Sequence, residues 1–266
     1  MSFRFPKWAA VLFVMACAMG SEARELKVCA DPDNLPFSNR RQEGFENKIA
    51  EMLARQLHAE LKYEWQRMGR GFVREYLGKS LCDVLIGVPA NYKPVLTTGP
   101  YYRSTYVFVS RRRAHLQNLS IDDPDLRKMK IGVQALEEEF APPGNALARR
   151  GMQSSIVGFD TTGKQPDEIL RAVASRKIDL AIVWGPFAGY YARKFPNLAL
   201  TAVRPEVDPP GIPFTFAIAM GVRKGNVQLQ HELQDFLSKH QSAIERILHT
   251  YNVPELELAP RQEGGE

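Results

Sequence analysis

The sequence predicts an α/β protein built as two lobes around a central cleft. Three observations carry that expectation. Short apolar runs alternate with amphipathic helical patterns from Leu26 onward, the series restarts after an extended stretch near residues 106–110, and the last strand and helix have no second half of their own.

The elements follow in order. "LKVCA" reads as a strand, and "GFENKIAEMLARQL" as a helix with Phe45, Ile49, Met52, Leu53 and Leu57 on one face. "LKYEW" is a second strand, "GFVREYL" a short helix and "CDVLIGV" a buried strand. Such a β-α-β-α-β order implies a parallel sheet covered by helices. "STYVFVSRRR" is extended and leads to a second series: the strand "KIGVQ", a helix across "GNALARRG", the strand "SSIVGF", the helix "PDEILRAVASR" and the strand "DLAIV". After Pro205, Pro209, Pro210 and Pro213 come one more strand, "FTFAIAMGVRKG", and a helix from about Asn226 to His249. Its stripe is Leu229, Leu233, Phe236, Leu237, Ile244, Ile247 and Leu248. These late elements are expected to complete the first sheet. Two crossings, near residues 106–110 and 213–217, then form a hinge.

The 266 residues are 44% hydrophobic and 24% charged, a composition of a folded globular chain. The beginning differs. Arg4 and Lys7 precede an apolar run from Trp8 to Met19, and Ser21 and Ala23 sit before a cut after Ala23, the layout of a cleaved secretory signal over residues 1–23. A spanning helix is the competing reading, but the run is shorter than the roughly 20 apolar residues a bilayer requires. "VMAC", ending at Cys17, weakly resembles a lipobox, which would anchor the chain through a lipid instead.

Losing residues 1–23 removes two positive charges and one negative, taking the net charge from +5 to +4, and leaves Cys29 and Cys82. Export places both thiols in an oxidising compartment, so a Cys29–Cys82 disulfide is expected; two separately buried cysteines are the alternative. The run Arg111-Arg112-Arg113 has the charge for nucleic acid, but export argues against that partner.

Ligands of open α/β sheets bind beyond the carboxyl ends of the strands. That rule selects the loops 31–38, 68–72, 87–92, 134–137 and 184–187. Asp31, Asp33 and Asn34 suggest a calcium loop, but the glycine and distal glutamate of an EF-hand are missing, and an Asx-capped turn fits better. Arg70 and Arg74 flank Phe72 at the expected rim, as cleft groups or as solvated helix charges. His231, His240 and His249 recur every nine residues, which on a helix turns neighbours about 180° apart, so they share no metal. Glu137, Glu138 and Glu139 read as a solvated acidic helix start. No GxSxG, HExxH, CxxC, P-loop or GxGxxG is present, which weighs against a catalytic derivative of the fold.

The blocks "CADPDNLPFSN", "GFENKIAEML", "CDVLIGV", "TTGPYYRSTYVFVSR", "KIGVQA", "DLAIVWGPFAGYYA" and "AIAMGVRKGN" resemble, in order over residues 26–250, periplasmic solute-binding proteins of the type II, family 3 class. Within it, "VCADPDNLPFSN", "RGF" at Arg70 to Phe72, "CDVLIGVP" and "TTGPYYRSTYVFV" look like the MxaJ/MoxJ/XoxJ branch. The resemblance implies a type II binding-protein fold: lobe 1 over residues 24–109 and 214–250, lobe 2 over 110–213, and a tail over 251–266. It implies a periplasmic accessory of a PQQ-dependent methanol dehydrogenase and its c-type cytochrome, with PQQ and metal on the dehydrogenase and no cofactor here. The alternative is the substrate-binding protein of an ABC transporter for a small solute.

Amino-acid binders of this class place an arginine before the "PYY" block, where its fork pairs a ligand carboxylate, and an aspartate before the late strand-to-helix corner for the ligand ammonium. Here those places are Asn91, with Lys93 nearby, and Trp184. A zwitterion would lose hydration without matched partners, so an amino acid is not the expected ligand. Trp184 is either an aromatic wall or a tryptophan packed between lobes. The expected cleft set is Asp33, Asn34, Phe37, Arg70, Phe72, Asn91, Tyr92, Tyr101, Gln134, Trp184 and Phe187, with no metal and no catalytic residue.

Overall fold

The computed structural model describes residues 24–258, apart from 68, 70, 115, 117, 118, 137, 138 and 164. Residues 1–23, expected to form a secretory signal and including Cys17, and Arg70, Glu137 and Glu138, lie outside the described residues. The principal elements are β1 Glu25–Ala30, α1 Phe45–Gln56, β2 Glu60–Trp65, β3 Val84–Pro89, β4 Tyr102–Arg111, β5 Ile131–Leu136, α2 Pro142–Arg149, β6 Ile156–Asp160, α3 Glu168–Ala174, β7 Leu180–Trp184, α4 Gly185–Ala192, β8 Leu198–Ala202, β9 Thr215–Val222 and α5 Val227–Thr250.

Hydrogen-bonded strands run in the order β6-β5-β7-β4-β9-β3-β1-β2, with β8 on β4. Three strands of the first lobe are parallel: β1 pairs β2 from Glu25 against Glu60, and β3 at Val28 against Val84. The late strand β9 completes this lobe antiparallel to β3, so the first sheet is mixed, because β9 arrives from the second lobe rather than through a helical crossover. Strand β4 serves both lobes. Its start, Tyr102 to Thr105, pairs β9, and its remainder pairs β7 and β8 from Tyr106 onward. The two α/β lobes are thus joined where β4 and the start of β9 lie side by side.

Apolar periodicity places the cores. Helix α1 buries Phe45, Ile49 and Leu53 on β1 and β3, and α5 lays Leu233, Phe236, Ile244 and Leu248 against the same body. The second lobe is sandwiched: Phe108, Ile131, Val133, Leu147 and Ile182 fill one face of its sheet, and Val109, Ile169, Val173, Val183 and Phe187 the other. Asp208, fully buried, accepts hydrogen bonds from Arg149 and Arg150. The Arg150 guanidinium holds its carboxyl below the usual carboxylate range.

After α5 the chain crosses back over the junction. Ser104 Oγ donates to Pro254 O (2.6 Å), Leu256 N–H to Arg103 O (2.8 Å), and Tyr251 stacks on Tyr190 of α4. Gly189 permits this, since a Cβ there would sit 1.8 Å from Asn252 O. Gly189→Ala is therefore expected to push the crossing segment off α4 and to cost about 1–3 kcal/mol, read as a lowered Tm. An unchanged Tm would show that the segment moves without cost.

Candidate functional site

A cavity of about 630 Å³ opens where the strands' carboxyl ends meet between the lobes, within the range of small-ligand sites. The loop after β1 supplies Asp31, Asn34, Phe37 and Ser38, and Gly87 to Pro89 come from β3. Tyr102, Tyr106, Phe216 and Ile218 come from the crossing strands, while Gln134, Phe140, Thr161 and Trp184 come from the second lobe. Six aromatic residues line it: Phe37, Tyr102, Tyr106, Phe140, Trp184 and Phe216. Trp184 packs edge-on against Tyr106 (centroids 5.3 Å apart) and Phe216 (5.7 Å), so it is at once a cleft wall and a contact between the lobes' apolar bodies.

The polar groups of the second lobe are largely spent on one another. Gln134 Oε1 accepts the Trp184 N–H at 2.6 Å and Gln134 Nε2 donates to Thr161 Oγ1 at 2.9 Å. The Trp184 amide is therefore not available to an anion. On the first lobe, the Asp33 N–H donates to Asp31 Oδ1 (2.9 Å), the Asx turn expected from the sequence.

One polar side chain stands apart. Glu46, in the first turn of α1, is 8% exposed and lines the cavity. Its Oε1 comes so near β3 that a Cβ at Gly87 would lie 2.2 Å away. Burial, with the neighbouring Asp31 charge added, pushes the Glu46 carboxyl up to about 8. A helix start ordinarily favours a negative charge, but here loss of hydration wins.

Of the residues expected in the cleft, Asn34, Phe37, Gln134 and Trp184 come together around the cavity. Asp33 is exposed beside it, and its carbonyl accepts a hydrogen bond from Gly163 N–H at 3.4 Å. Others sit elsewhere. Phe72 stacks on Tyr76 in a cluster with Cys29, Cys82 and Leu85; Tyr101 is buried in the first lobe with its hydroxyl on Ile86 O; Phe187 is buried in the second. Large aromatics next to strand ends were drawn into the nearest core. Asn91 and Tyr92 lie exposed on the turn after β3, outside the cavity lining, and Arg74 is a surface side chain paired with Glu75.

Sequence reasoning passed over Glu46, Tyr106, Phe140 and Phe216. A usable signal existed for two groups. Helix α1 starts where β1 ends, so its first turn lies at the cleft, and crossing strands run behind any cleft they join, so their aromatics line it.

No protein-family profile matches the chain. Among curated proteins it is similar to Protein MoxJ of Paracoccus denitrificans, 30% identical over an alignment 264 positions long, with 92% of this chain and 94% of that one covered. It is also similar to Protein MoxJ of Methylorubrum extorquens, 32% identical over 90% of this chain and 84% of that one. The chain belongs to the MxaJ/MoxJ/XoxJ family. Solved structures agree: MxaJ from Methlophaga aminisulfidivorans MPT superposes with a TM-score of 0.78 at 29% identity, covering 87% of this chain and all of that one. The periplasmic binding protein XoxJ from Methylobacterium extorquens AM1 gives 0.69 at 36% identity, covering 88% and 100%. An ancestral cationic amino acid binding protein, at 18% identity and TM-score 0.66, shares the fold alone. Within the MxaJ/MoxJ/XoxJ family, then, this chain presents a type II binding-protein fold whose cleft is walled by aromatic rings. Among its described residues no helix is long and apolar enough to cross a membrane.

Proposed function

We propose that this chain is a non-catalytic periplasmic accessory protein of a PQQ-dependent methanol dehydrogenase system, exported by a cleaved signal, which docks to the dehydrogenase and assists its maturation or activation. The observation that carries the reading is the cleft wall. Where amino-acid binders of this fold place the aspartate for a ligand ammonium, Trp184 stands, ringed by Tyr106 and Phe216. The place of their arginine is Asn91, outside the cavity lining. An apolar, concave, ring-lined surface suits a protruding segment of a protein, since buried aromatic anchors dominate such contacts. Membership of the MxaJ/MoxJ/XoxJ family supports the choice of partner.

The docking surface is proposed to be the cleft itself, with Asn34, Phe37, Gln134 and Trp184 in contact and Asp33 at its rim. The test is a native mass spectrum of the protein isolated gently from the periplasm of its methanol-grown host. The expected result is a complex with a dehydrogenase-sized partner and no small adduct. A monomer carrying one stoichiometric small molecule would replace docking with solute delivery to a transporter.

A further inference from the structure

The cavity holds one side chain whose chemistry the docking reading leaves unused. Glu46 is more than nine-tenths buried and lines the cavity, and among the described residues its carboxyl has neither an ion-pair nor a hydrogen-bond partner. Two polar side chains that line the cavity with it are engaged elsewhere: Ser38 Oγ donates to Asp31 O, and Gln134 Nε2 to Thr161 Oγ1. A polar group at the wall of such a cavity, with no protein partner among the described residues, is one that an incoming ligand can satisfy.

What Glu46 can offer follows from its surroundings. The titratable groups facing it among the described residues are Asp31 after β1, Tyr63 on β2, Tyr101 before β4 and Tyr102 on it, with Glu139 across the cavity. These groups are carboxylic acids and phenols. Burial, with Asp31 beside it, favours the neutral form of Glu46, and a neutral carboxyl has one O–H to donate. The partner it asks for is an acceptor on an apolar body.

We infer that Glu46 is a hydrogen-bond donor of the cleft, and that it takes a backbone carbonyl oxygen of an apolar peptide segment whose side chains lie against Trp184 and Phe216. This rests on the docking reading for the source of the peptide and adds the chemistry that fixes its register. An ammonium or guanidinium ligand is the opposite case, since it would require the ionised carboxylate. The two are separated by the sign of their pH dependence. A carbonyl ligand is lost as Glu46 ionises above pH 8, whereas a cation is gained.

The experiment is an NMR titration of the ¹⁵N-labelled protein with N-acetyl-leucine methylamide, and in parallel with n-butylammonium, following the Trp184 indole N–H. The expected result is saturable binding of the amide that weakens about tenfold from pH 7 to pH 9. Glu46→Gln, which keeps a neutral donor, binds within about threefold of wild type at pH 7 and keeps that affinity at pH 9, so the pH dependence is lost. The inference is overturned if wild type shows no saturable binding or pH-independent binding of the amide, if Glu46→Gln abolishes it, or if n-butylammonium binds and tightens with pH. The wild-type pH arm needs no variant to fold. Failure here with the dehydrogenase still captured removes only the role of Glu46. Success here with no dehydrogenase captured removes only the docking reading.

Discussion

Glu46→Gln is expected to stabilise the protein at pH 8 by several kcal/mol and to leave it nearly unchanged at pH 5. The sign follows from linkage. Unfolded, the Glu46 carboxyl titrates at its ordinary value of 4.5, whereas in the folded protein burial and Asp31 raise it to about 8. Between these values the native state holds a proton that the unfolded state has released, so unfolding becomes easier as pH rises, and the loss is complete above pH 8. The shift corresponds to about 3 kcal/mol at pH 7 and about 5 kcal/mol above pH 8. Glutamine cannot ionise and escapes this penalty. Urea unfolding of both proteins at pH 5, 6.5 and 8 checks it: a gap that opens steadily with pH is expected, and a pH-independent gap would mean that Glu46 is solvated or paired in solution. A stability penalty of this size, held at one buried side chain facing the cleft, is what a binding group costs before its ligand arrives.

Much of the scaffold was legible because periodicity and core burial coincide. Phe45, Ile49 and Leu53 recur at helical spacing and are all fully buried, and α5 buries every residue of the stripe read from its sequence except the half-buried Ile247. The restart of the pattern beyond residue 110 corresponds to β4 exchanging partners at Tyr106, where the side chains turn from one core to the other. The antiparallel entry of β9 into the first sheet was not legible, since strand direction depends on where the chain comes from and not on its residues. Strand β8 was also missed, because "LALTA" is short and only its first residue is buried.

The cleft was legible in outline and less so in detail. Its loops follow from the strand ends, and the Asx turn at Asp31 from its residue types. Which aromatic faces the cavity depends on the angle at which each strand ends. A rotation of one position separates Tyr101, whose hydroxyl bonds inside the first lobe, from Tyr102, which reaches the cavity lining. Glu46 was hidden for a related reason. An acid in a first helical turn has an adequate explanation in the helix dipole, and only the approach to Gly87 shows that it is enclosed.

Removing the Cys29–Cys82 bridge is expected to cost about 4 kcal/mol and to lower Tm by roughly 10 °C. The disulfide joins residues 53 apart, with Cα atoms 5.4 Å apart, and so encloses the loop after β1, all of α1 and β2, and the turn before β3. Closing so long a loop restricts the unfolded chain strongly, which is the source of the estimate. The bridge is also buried under Phe72 and Leu77, so Cys29→Ala/Cys82→Ala removes packed sulfur as well as the link. Its position adds a consequence for the site. Cys29 lies two residues before Asp31, and Cys82 two residues before β3, which carries Gly87 against Glu46. Both walls flanking the Glu46 carboxyl are therefore pinned from behind by one covalent bond, and the reduced protein should lose affinity for its partner before it unfolds. Intact mass after alkylation without reductant should show no added alkyl groups on wild type, and two additions would exclude the bridge. A double alanine variant with the Tm and partner capture of wild type would exclude its role in holding the cleft.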